Sequence, residues 1–212
     1  HYSARTAGTL GFSIFSSNRT FVLNKQMNIN NKSLINFLKT NKNNKFIIFG
    51  FTYLIWIFFN NLLNTKYVNY FHNATIIHGG GWKKLYKLNI SNEKFTELIA
   101  DKFNIKKTIN YYGMVEQTGS IFMECDNGFF HTSDYNDIII RNKNLNISKH
   151  KEEGIVQLIS SIPSSYPGNS ILTEDLGYIQ GEDECKCGKN GKIFKITGRI
   201  EKSIVRGCSD VF

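Results

Sequence analysis

The sequence predicts a mixed α/β fold: a parallel sheet flanked by helices, followed by a smaller and mostly antiparallel β region. In the first half of the 212 residues, apolar strands, glycine turns and segments with apolar residues at helical spacing alternate along the chain, which is the pattern of a parallel α/β sheet. From about Ile109 short strands are separated by Gly, Asn and Asp, as in antiparallel sheets. We therefore divide the chain into residues 1–110 and residues 111–212.

Apolar periodicity and turn residues define the elements of the first region. Ser91 stands where its side chain can cap the helix that follows it. In chain order we predict a turn at Thr6–Gly11, a strand at Thr20–Leu23, a helix at Asn31–Lys42, a strand at Lys45–Gly50, a helix at Tyr53–Leu63, a strand at Thr75–His78 and a helix at Ser91–Phe103.

The most apolar segment runs from Phe46 to Phe59 and is interrupted by Gly50 and Thr52. It is shorter than the roughly 20 residues that a membrane-spanning helix requires. We therefore predict no membrane span, but a buried strand that runs into a buried helix. In the second region, the predicted strands are Ile121–Cys125, Asp137–Arg141, Ile155–Ser160, Gly177–Ile179 and Ile193–Thr197.

Charge and cysteine content narrow the classes of function. The 26 Lys and Arg residues exceed the 17 Asp and Glu residues, which gives a net charge of +9. These basic residues are scattered and form no dense block of the kind that binds nucleic acid, so we expect no nucleic-acid partner. The four cysteines are too few and too unevenly spaced for a disulfide framework. We therefore expect a reducing, cytoplasmic location.

Two glycine-containing motifs carry groups that suit a nucleotide. Thr6–Gly11 offers threonine hydroxyls and bare backbone amides to phosphate oxygens. In Tyr112–Gly119 a glycine lets the backbone approach a flat ring, and Glu116 offers a carboxylate to a metal or a hydroxyl. Taken alone, both motifs also fit ordinary turns.

Two further motifs add charged groups. Asp175, in Thr173–Gly177, precedes a turn, as expected of a carboxylate that accepts hydrogen bonds from two ribose hydroxyls. Arg199, in Gly198–Lys202, stands at a strand end, where its guanidinium can neutralise a phosphate.

In this order and spacing, the four motifs resemble the adenylate-forming superfamily, which has a threonine-rich phosphate loop, a Tyr-Gly-x-x-Glu segment, a ribose-binding Asp and a Gly-Arg hinge. A narrower likeness, over nearly the whole chain, is to the LuxE-type acyl-protein synthetases, and the motifs are also similar to those of phenylacetate-CoA ligases. The strings that carry this likeness are Phe49–Trp56, His78–Lys83, Tyr112–Gly119 and Arg206–Ser209.

The resemblance implies a role for each motif in binding ATP and Mg²⁺. The phosphate loop would cradle the ATP phosphates, the glycines after His78 would line the adenine, and Tyr112 would stack on it. Glu116 would hold magnesium, Asp175 would bind the ribose, and Arg199 would bind the phosphate or the ribose. The residues of the loop and of the adenine wall are Thr6, Gly8, Thr9, Gly11, Gly79, Gly80 and Gly81.

The sequence departs from the family in three places. Ala7 and Leu10 stand in the loop where related proteins often have Ser or Thr, and Glu201 and Lys202 stand where related ligases often have two acidic residues. The resemblance also implies an N-terminal region before residue 1 that would complete the acyl pocket.

Three cysteines and a histidine stand at the spacing of a structural zinc site. Cys125 and His131 flank a turn at residues 126–128, and Cys185 and Cys187 lead into another turn. Two turns that each offer two ligands suit a tetrahedral zinc ion. The alternative is two buried free thiols and a surface histidine.

The family likeness predicts an enzyme that activates a fatty acid or another carboxylic acid as its acyl-adenylate. Cys208, close to Arg206 and Lys202, would then accept the acyl group as a thioester and pass it to a partner reductase. Two alternatives stay open: an acyl-CoA ligase of the phenylacetate type, and a nucleotide-binding fragment without catalysis.

Overall fold

A computed structural model describes residues 4–24, 26, 28–82 and 90–200, with the backbone alone for residues 4–7. These residues form two compact units. The boundary lies between Asn110 and Tyr111, and the described part of the second unit ends at Ile200.

The first unit alternates helices and strands. The strands β1 and β2 are parallel, and their register runs from Phe46 opposite Ala74 to Phe51 opposite Gly79. This pairing confirms the parallel α/β pattern predicted for the first half. The elements are α1 (Ala4–Ser13), α2 (Asn31–Thr40), β1 (Phe46–Phe51), α3 (Thr52–Leu62), a 3₁₀ turn (Val68–Tyr70), β2 (Ala74–Gly79) and α4 (Asn92–Phe103).

Polar caps fix the beginnings of two helices. The side chain of Asn30 accepts a hydrogen bond from the Ser33 amide at the start of α2, and Ser91 accepts one from Lys94 at the start of α4. Each cap satisfies a backbone N–H that the helix itself leaves without a partner. The capping role predicted for Ser91 is confirmed.

Aromatic side chains dominate the core of the first unit. Phe59, Phe71 and Phe103 contact one another with ring centroids 4.6 to 5.8 Å apart. Phe95 is fully buried and packs against Trp82 and His78. Apolar burial of this extent is the main favourable contribution to folding.

The predicted turn at Thr6–Gly11 is wrong, because these residues lie inside helix α1. The segment contains no proline, and neither Gly8 nor Gly11 has a positive φ. Phe12 stacks on Phe49 of β1 with ring centroids 4.2 Å apart. This tertiary contact outweighs the low helix propensity of the two glycines.

The second unit is built mainly from antiparallel strands. The first sheet has the order β1-β2-β3-β4, with the boundary between the units inside β3, and the second has the order β5-β9-β8-β7-β6. All described pairs of the second sheet are antiparallel, as predicted. The strands are β3 (Lys107–Gly113), β4 (Ile121–Met123), β5 (Phe130–His131), β6 (Asn136–Arg141), β7 (Gly154–Ser160), β8 (Ser170–Glu182) and β9 (Lys192–Arg199).

The core of the second unit lies on one face of this sheet. Ile138 and Ile140 on β6 alternate with more exposed residues, as do Val156 and Leu158 on β7. Such alternation is expected of strands with one buried face. Three aromatic residues complete the core: Phe122, Phe130 and Phe194.

No helix in the described part of the chain has the length and apolar character needed to cross a membrane. The apolar segment Phe46–Phe59 instead forms β1 and most of α3, the strand and helix predicted. The strand is half-buried rather than buried, and its Ile47 is exposed.

Removing the Phe95 ring should destabilise the protein. We expect Phe95→Ala to lower the free energy of unfolding by about 3–5 kcal/mol, the usual effect of deleting a fully buried ring. Phe15, 77% exposed, is the matched control, and Phe15→Ala should stay within about 0.5 kcal/mol of the native chain. Urea unfolding of the three proteins measures the difference, and equal effects in both variants would contradict the assigned core.

Candidate functional site

Three residues from three separate motifs meet in the second unit. The Tyr112 hydroxyl donates a hydrogen bond of 2.7 Å to Oδ2 of Asp175. Nε of Arg199 lies 3.2 Å from the other oxygen, Oδ1, of the same carboxylate. The structure therefore brings together three of the residues singled out from the sequence, with Asp175 at the centre.

The strands β8 and β9 determine where the carboxylate lies. Asp175 and Arg199 are opposite each other in the antiparallel register. The Asp175 amide donates to Oγ1 of Thr173, whose hydroxyl in turn donates to the Val156 carbonyl in β7. This buried threonine fixes the backbone immediately before Asp175, and a register shift follows directly after Leu176.

Tyr112 is held by aromatic packing. Its ring lies 6.2 Å from Phe122 in a stacked arrangement and 6.1 Å from Phe130 in a tilted one. Burial raises the pKa of the Tyr112 phenol, and the negative charge of Asp175 raises it further. The hydroxyl therefore stays protonated and can donate to the carboxylate.

Arg199 is shared between two carboxylates. Its Nη2 donates to Oε2 of Glu174 at 2.7 Å, while Nε faces Asp175. The side chain of Asp175 is 20% exposed, and that of Glu174 is 58% exposed. The Asp175 pair is consequently the better shielded of the two.

Glu116 lies exposed in the turn that follows Met114. The next residue, Gln117, is buried, and its amide donates to the carbonyl oxygens of Leu158 and Gly168. The Ser120 hydroxyl donates to the Gln117 side-chain oxygen. Gln117 therefore anchors the turn that presents Glu116, a role that sequence reasoning missed because the carbonyl partners are distant along the chain.

Gly113 allows a close backbone contact within the protein. A Cβ at this position would lie 2.6 Å from the carbonyl oxygen of Ser120. Any side chain would therefore push apart the end of β3 and the residues before β4.

The glycines after His78 lie at and just beyond the end of β2, of which Gly79 is the last residue. Gly80 and Gly81 have φ angles of +77° and +66°, which glycine adopts without strain. A Cβ at Gly80 would lie 2.7 Å from the Phe51 ring, whereas one at Gly81 would meet no atom within 4 Å.

A buried hydrogen-bonded pair supports this glycine segment. Thr52 donates to the Gly79 carbonyl, and its Oγ1 lies 2.9 Å from Nδ1 of His78. Because the hydroxyl has one proton, Nδ1 is the donor in the second contact. Burial lowers the pKa of His78 from 6.5 to about 4.

The remaining predicted nucleotide residues lie in α1 or outside the described residues. Side chains built on Gly8 and Gly11 would meet no atom within 4 Å, so packing alone does not require glycine at either position. The side chain of Thr6, the charged pair at residues 201–202 and Cys208 lie outside what the structure describes.

Three cysteines and one histidine form a compact cluster in the second unit. Sγ of Cys125 is 3.8 Å from Sγ of Cys185, and Sγ of Cys187 is 3.4 Å from Nε2 of His131. The ligand atoms of all four residues lie within 4.8 Å of one another. These are the four residues that the sequence marks as candidate ligands, and His131 is buried rather than on the surface.

Two tight turns bring the cluster together. The Gly128 amide donates to the Cys125 carbonyl, and the Gly188 amide donates to the Cys185 carbonyl. Both glycines have positive φ angles, of +73° and +78°. The turn predicted at residues 126–128 is confirmed, whereas the second turn runs from Cys185 to Gly188 and encloses Cys187, instead of following it at Gly188–Gly191.

Comparison with known proteins identifies a family whose sequence model matches the chain. The sequence model of the family described as "Acyl-protein synthetase, LuxE" matches residues 2–212. The chain is also similar to the long-chain-fatty-acid–luciferin-component ligase of Vibrio harveyi, with 22% identity over 142 residues. That match covers 63% of the chain and 35% of the ligase, so the chain spans about a third of the length of its curated relative.

Solved structures of adenylate-forming enzymes share the fold. An open conformation of 2-hydroxyisobutyryl-CoA ligase, in complex with 2-HIB-AMP and CoA, gives a TM-score of 0.61 at 18% identity over 80% of this chain and 39% of that one. ATP-bound MatB from Rhodopseudomonas palustris gives 0.51 at 13% identity over 78% of this chain and 33% of that one. The predicted fold class is confirmed.

Acid should destabilise the protein through His78. The folded pKa of about 4 lies below the ordinary value of 6.5, so between these pH values the unfolded chain binds more protons. The contribution of His78 to the free energy of unfolding is therefore lost as the pH falls from 6.5 to 4, by up to about 3 kcal/mol.

Urea unfolding of native and His78→Gln protein across this pH range measures the effect. We expect a shallower loss of stability in His78→Gln than in the native chain. His150→Gln, at an exposed position, is the control and should follow the native chain. Parallel pH profiles for the native and His78→Gln proteins would contradict the prediction.

Proposed function

The chain belongs to the LuxE acyl-protein synthetase family, and we propose that it forms part of an ATP-dependent enzyme that activates a fatty acid as its acyl-adenylate. Residues 1–110 would supply one part of the nucleotide site, and residues 111–212 would complete it and carry the acyl-accepting tail. The observation that carries this proposal is the meeting of Tyr112, Asp175 and Arg199 around one carboxylate.

Asp175 is suited to the ribose. A carboxylate has about four acceptor positions, and Tyr112 and Arg199 use one on each oxygen. The remaining positions can accept hydrogen bonds from two ribose hydroxyls. Because Tyr112 and Arg199 already fix the orientation of the carboxylate, little freedom would be lost when the ribose binds.

The other residues would surround the rest of the nucleotide. The Tyr112 ring would stack on the adenine, and Arg199 would contact the phosphate or the ribose. Glu116 is an exposed carboxylate in a turn, which is the type of oxygen ligand that magnesium prefers. The residues assigned to the adenine wall are Gly79, Gly80 and Gly81. Those assigned to the phosphates are Thr6, Gly8, Thr9 and Gly11, which lie in helix α1 rather than in a loop.

In the first step, a carboxylate oxygen of the fatty acid would attack the α-phosphorus of ATP. The bond between the α-phosphorus and the bridging oxygen breaks, and pyrophosphate leaves. Most of the rate acceleration in such a step comes from two effects. The enzyme holds the attacking oxygen in line with the bond that breaks, and it neutralises the phosphate charge. Arg199 and a magnesium ion held by Glu116 would provide the positive charge.

In the second step, the Cys208 thiolate would attack the acyl carbonyl, AMP would leave, and a thioester would form. A partner reductase would then receive the acyl group. A free thiol at this position would persist in a reducing compartment, in agreement with the cytoplasmic location expected from the cysteine content.

Exchange of labelled pyrophosphate into ATP tests the first step. We expect exchange that depends on a fatty acid in the full-length protein, because exchange requires a reversible adenylate. Binding of ATP without exchange would favour a nucleotide-binding fragment. Acyl transfer to added CoA, in place of the protein thiol, would favour a phenylacetate-type ligase.

Asp175→Ala should weaken ATP binding about 10- to 100-fold, since a charged acceptor of one or two hydrogen bonds is removed. Glu174→Gln is the matched control, because it removes an exposed ion pair with Arg199 and leaves Asp175 in place. We expect the control to bind ATP at least as tightly as the native chain, because it removes a negative charge beside Arg199. Calorimetric titration measures both, and native affinity in a folded Asp175→Ala protein would refute the assignment.

Cys208→Ser should separate the two steps. Pyrophosphate exchange should persist, because Cys208 takes no part in adenylation, whereas the hydroxylamine-labile acyl label on the protein should be lost. Radiolabelled fatty acid and gel fluorography measure the label. A variant that still carries a hydroxylamine-labile label would place the thioester on another residue.

A further inference from the structure

We propose that Cys125, His131, Cys185 and Cys187 form a closed tetrahedral zinc site that holds the second unit together. The proposal rests on the positions of four side chains and is independent of the function proposed above.

Two of the six distances between ligand atoms of the cluster match the edges of a zinc tetrahedron, and all six are within 4.8 Å. With zinc–sulfur bonds of about 2.3 Å, two sulfur ligands are separated by about 3.8 Å, and a sulfur and a nitrogen ligand by about 3.5 Å. Sγ of Cys125 lies 3.8 Å from Sγ of Cys185, and Sγ of Cys187 lies 3.4 Å from Nε2 of His131. Both edges thus have the length that a single shared metal would impose.

A disulfide does not account for the cluster. The sulfur–sulfur separation of 3.8 Å is far longer than the bond of about 2.05 Å in a disulfide, and all three cysteines are free. A disulfide would also leave the third thiol and the buried imidazole of His131 without a function.

The donor set selects zinc among the common divalent ions. Thiolate and imidazole ligands suit zinc, whereas calcium and magnesium require oxygen ligands. Binding would convert the three thiols to thiolates and release their protons to solvent. The Asn127 side-chain amide donates to Sγ of Cys185 at 3.6 Å, a contact of the kind that supports a metal-bound thiolate.

Four protein ligands leave no open coordination position, so the ion would be structural rather than catalytic. Cys125 and His131 lie on either side of the β4–β5 turn, and Cys185 and Cys187 lie in the connection between β8 and β9. One ion would therefore connect two turns that are far apart in the sequence, since Cys125 and Cys185 are separated by 60 positions. Such a tie restricts the unfolded chain and stabilises the folded one.

Metal analysis of the chain, purified without chelator from cells supplied with zinc, tests the site. We expect one zinc ion per chain. After replacement by Co²⁺, we expect sulfur-to-cobalt charge-transfer absorption and the intense visible bands of a tetrahedral complex. Protein that contains no zinc and takes up none from solution, or that holds iron in its place, would overturn the proposal.

Cys187→Ser should lose the zinc, whereas the matched variant Cys208→Ser should retain it, because Cys208 is not a ligand. If Cys187→Ser does not fold, mercurial titration of the Cys208→Ser protein replaces it, and zinc should be released as the three remaining thiols react. Zinc retained by Cys187→Ser, or zinc that stays bound after every thiol has reacted, would refute the site.

Discussion

The packing of Phe130 links the two groups of polar residues in the second unit. Its ring lies 6.1 Å from Tyr112 and 5.5 Å from Phe194, and the next residue along β5 is His131. Because protein interiors are close-packed, a displacement of β5 would be felt at both neighbours. Two features therefore depend on the same short strand, β5. One is the hydrogen bond from the Tyr112 hydroxyl to Asp175, and the other is the position of the His131 imidazole in the cysteine cluster.

Local signals account for most of the fold, and tertiary contacts account for the errors. Helix α4 begins where its cap, Ser91, is visible in the sequence. Helix α1 was not predicted, because its glycines indicate a turn and the stacking of Phe12 on Phe49 involves residues far apart in the chain. Strand β5 has two residues, too few for any periodicity to appear.

In the candidate site, too, local signals identify residues, whereas the contacts between them depend on the tertiary structure. Tyr112, Asp175 and Arg199 stand out by residue type within their motifs, but the contacts among them depend on the register of β8 and β9, which no local pattern contains. The cysteine cluster was more accessible to prediction, since each half is a tight turn with a glycine. Gln117 was missed because nothing in its neighbourhood indicates that its amide is buried against Leu158 and Gly168.

The charges around Arg199 indicate how a phosphate could enter the site. One guanidinium faces two carboxylates, so this group has a net negative charge that opposes an incoming phosphate. The Glu174 pair is the more exposed, and exposed ion pairs contribute at most about 1 kcal/mol. A phosphate can therefore replace Glu174 as a partner of Arg199 more easily than it can replace Asp175, and the ion pair between Arg199 and Asp175 can persist. The shielded carboxylate would keep its orientation toward the ribose while the guanidinium neutralises the phosphate.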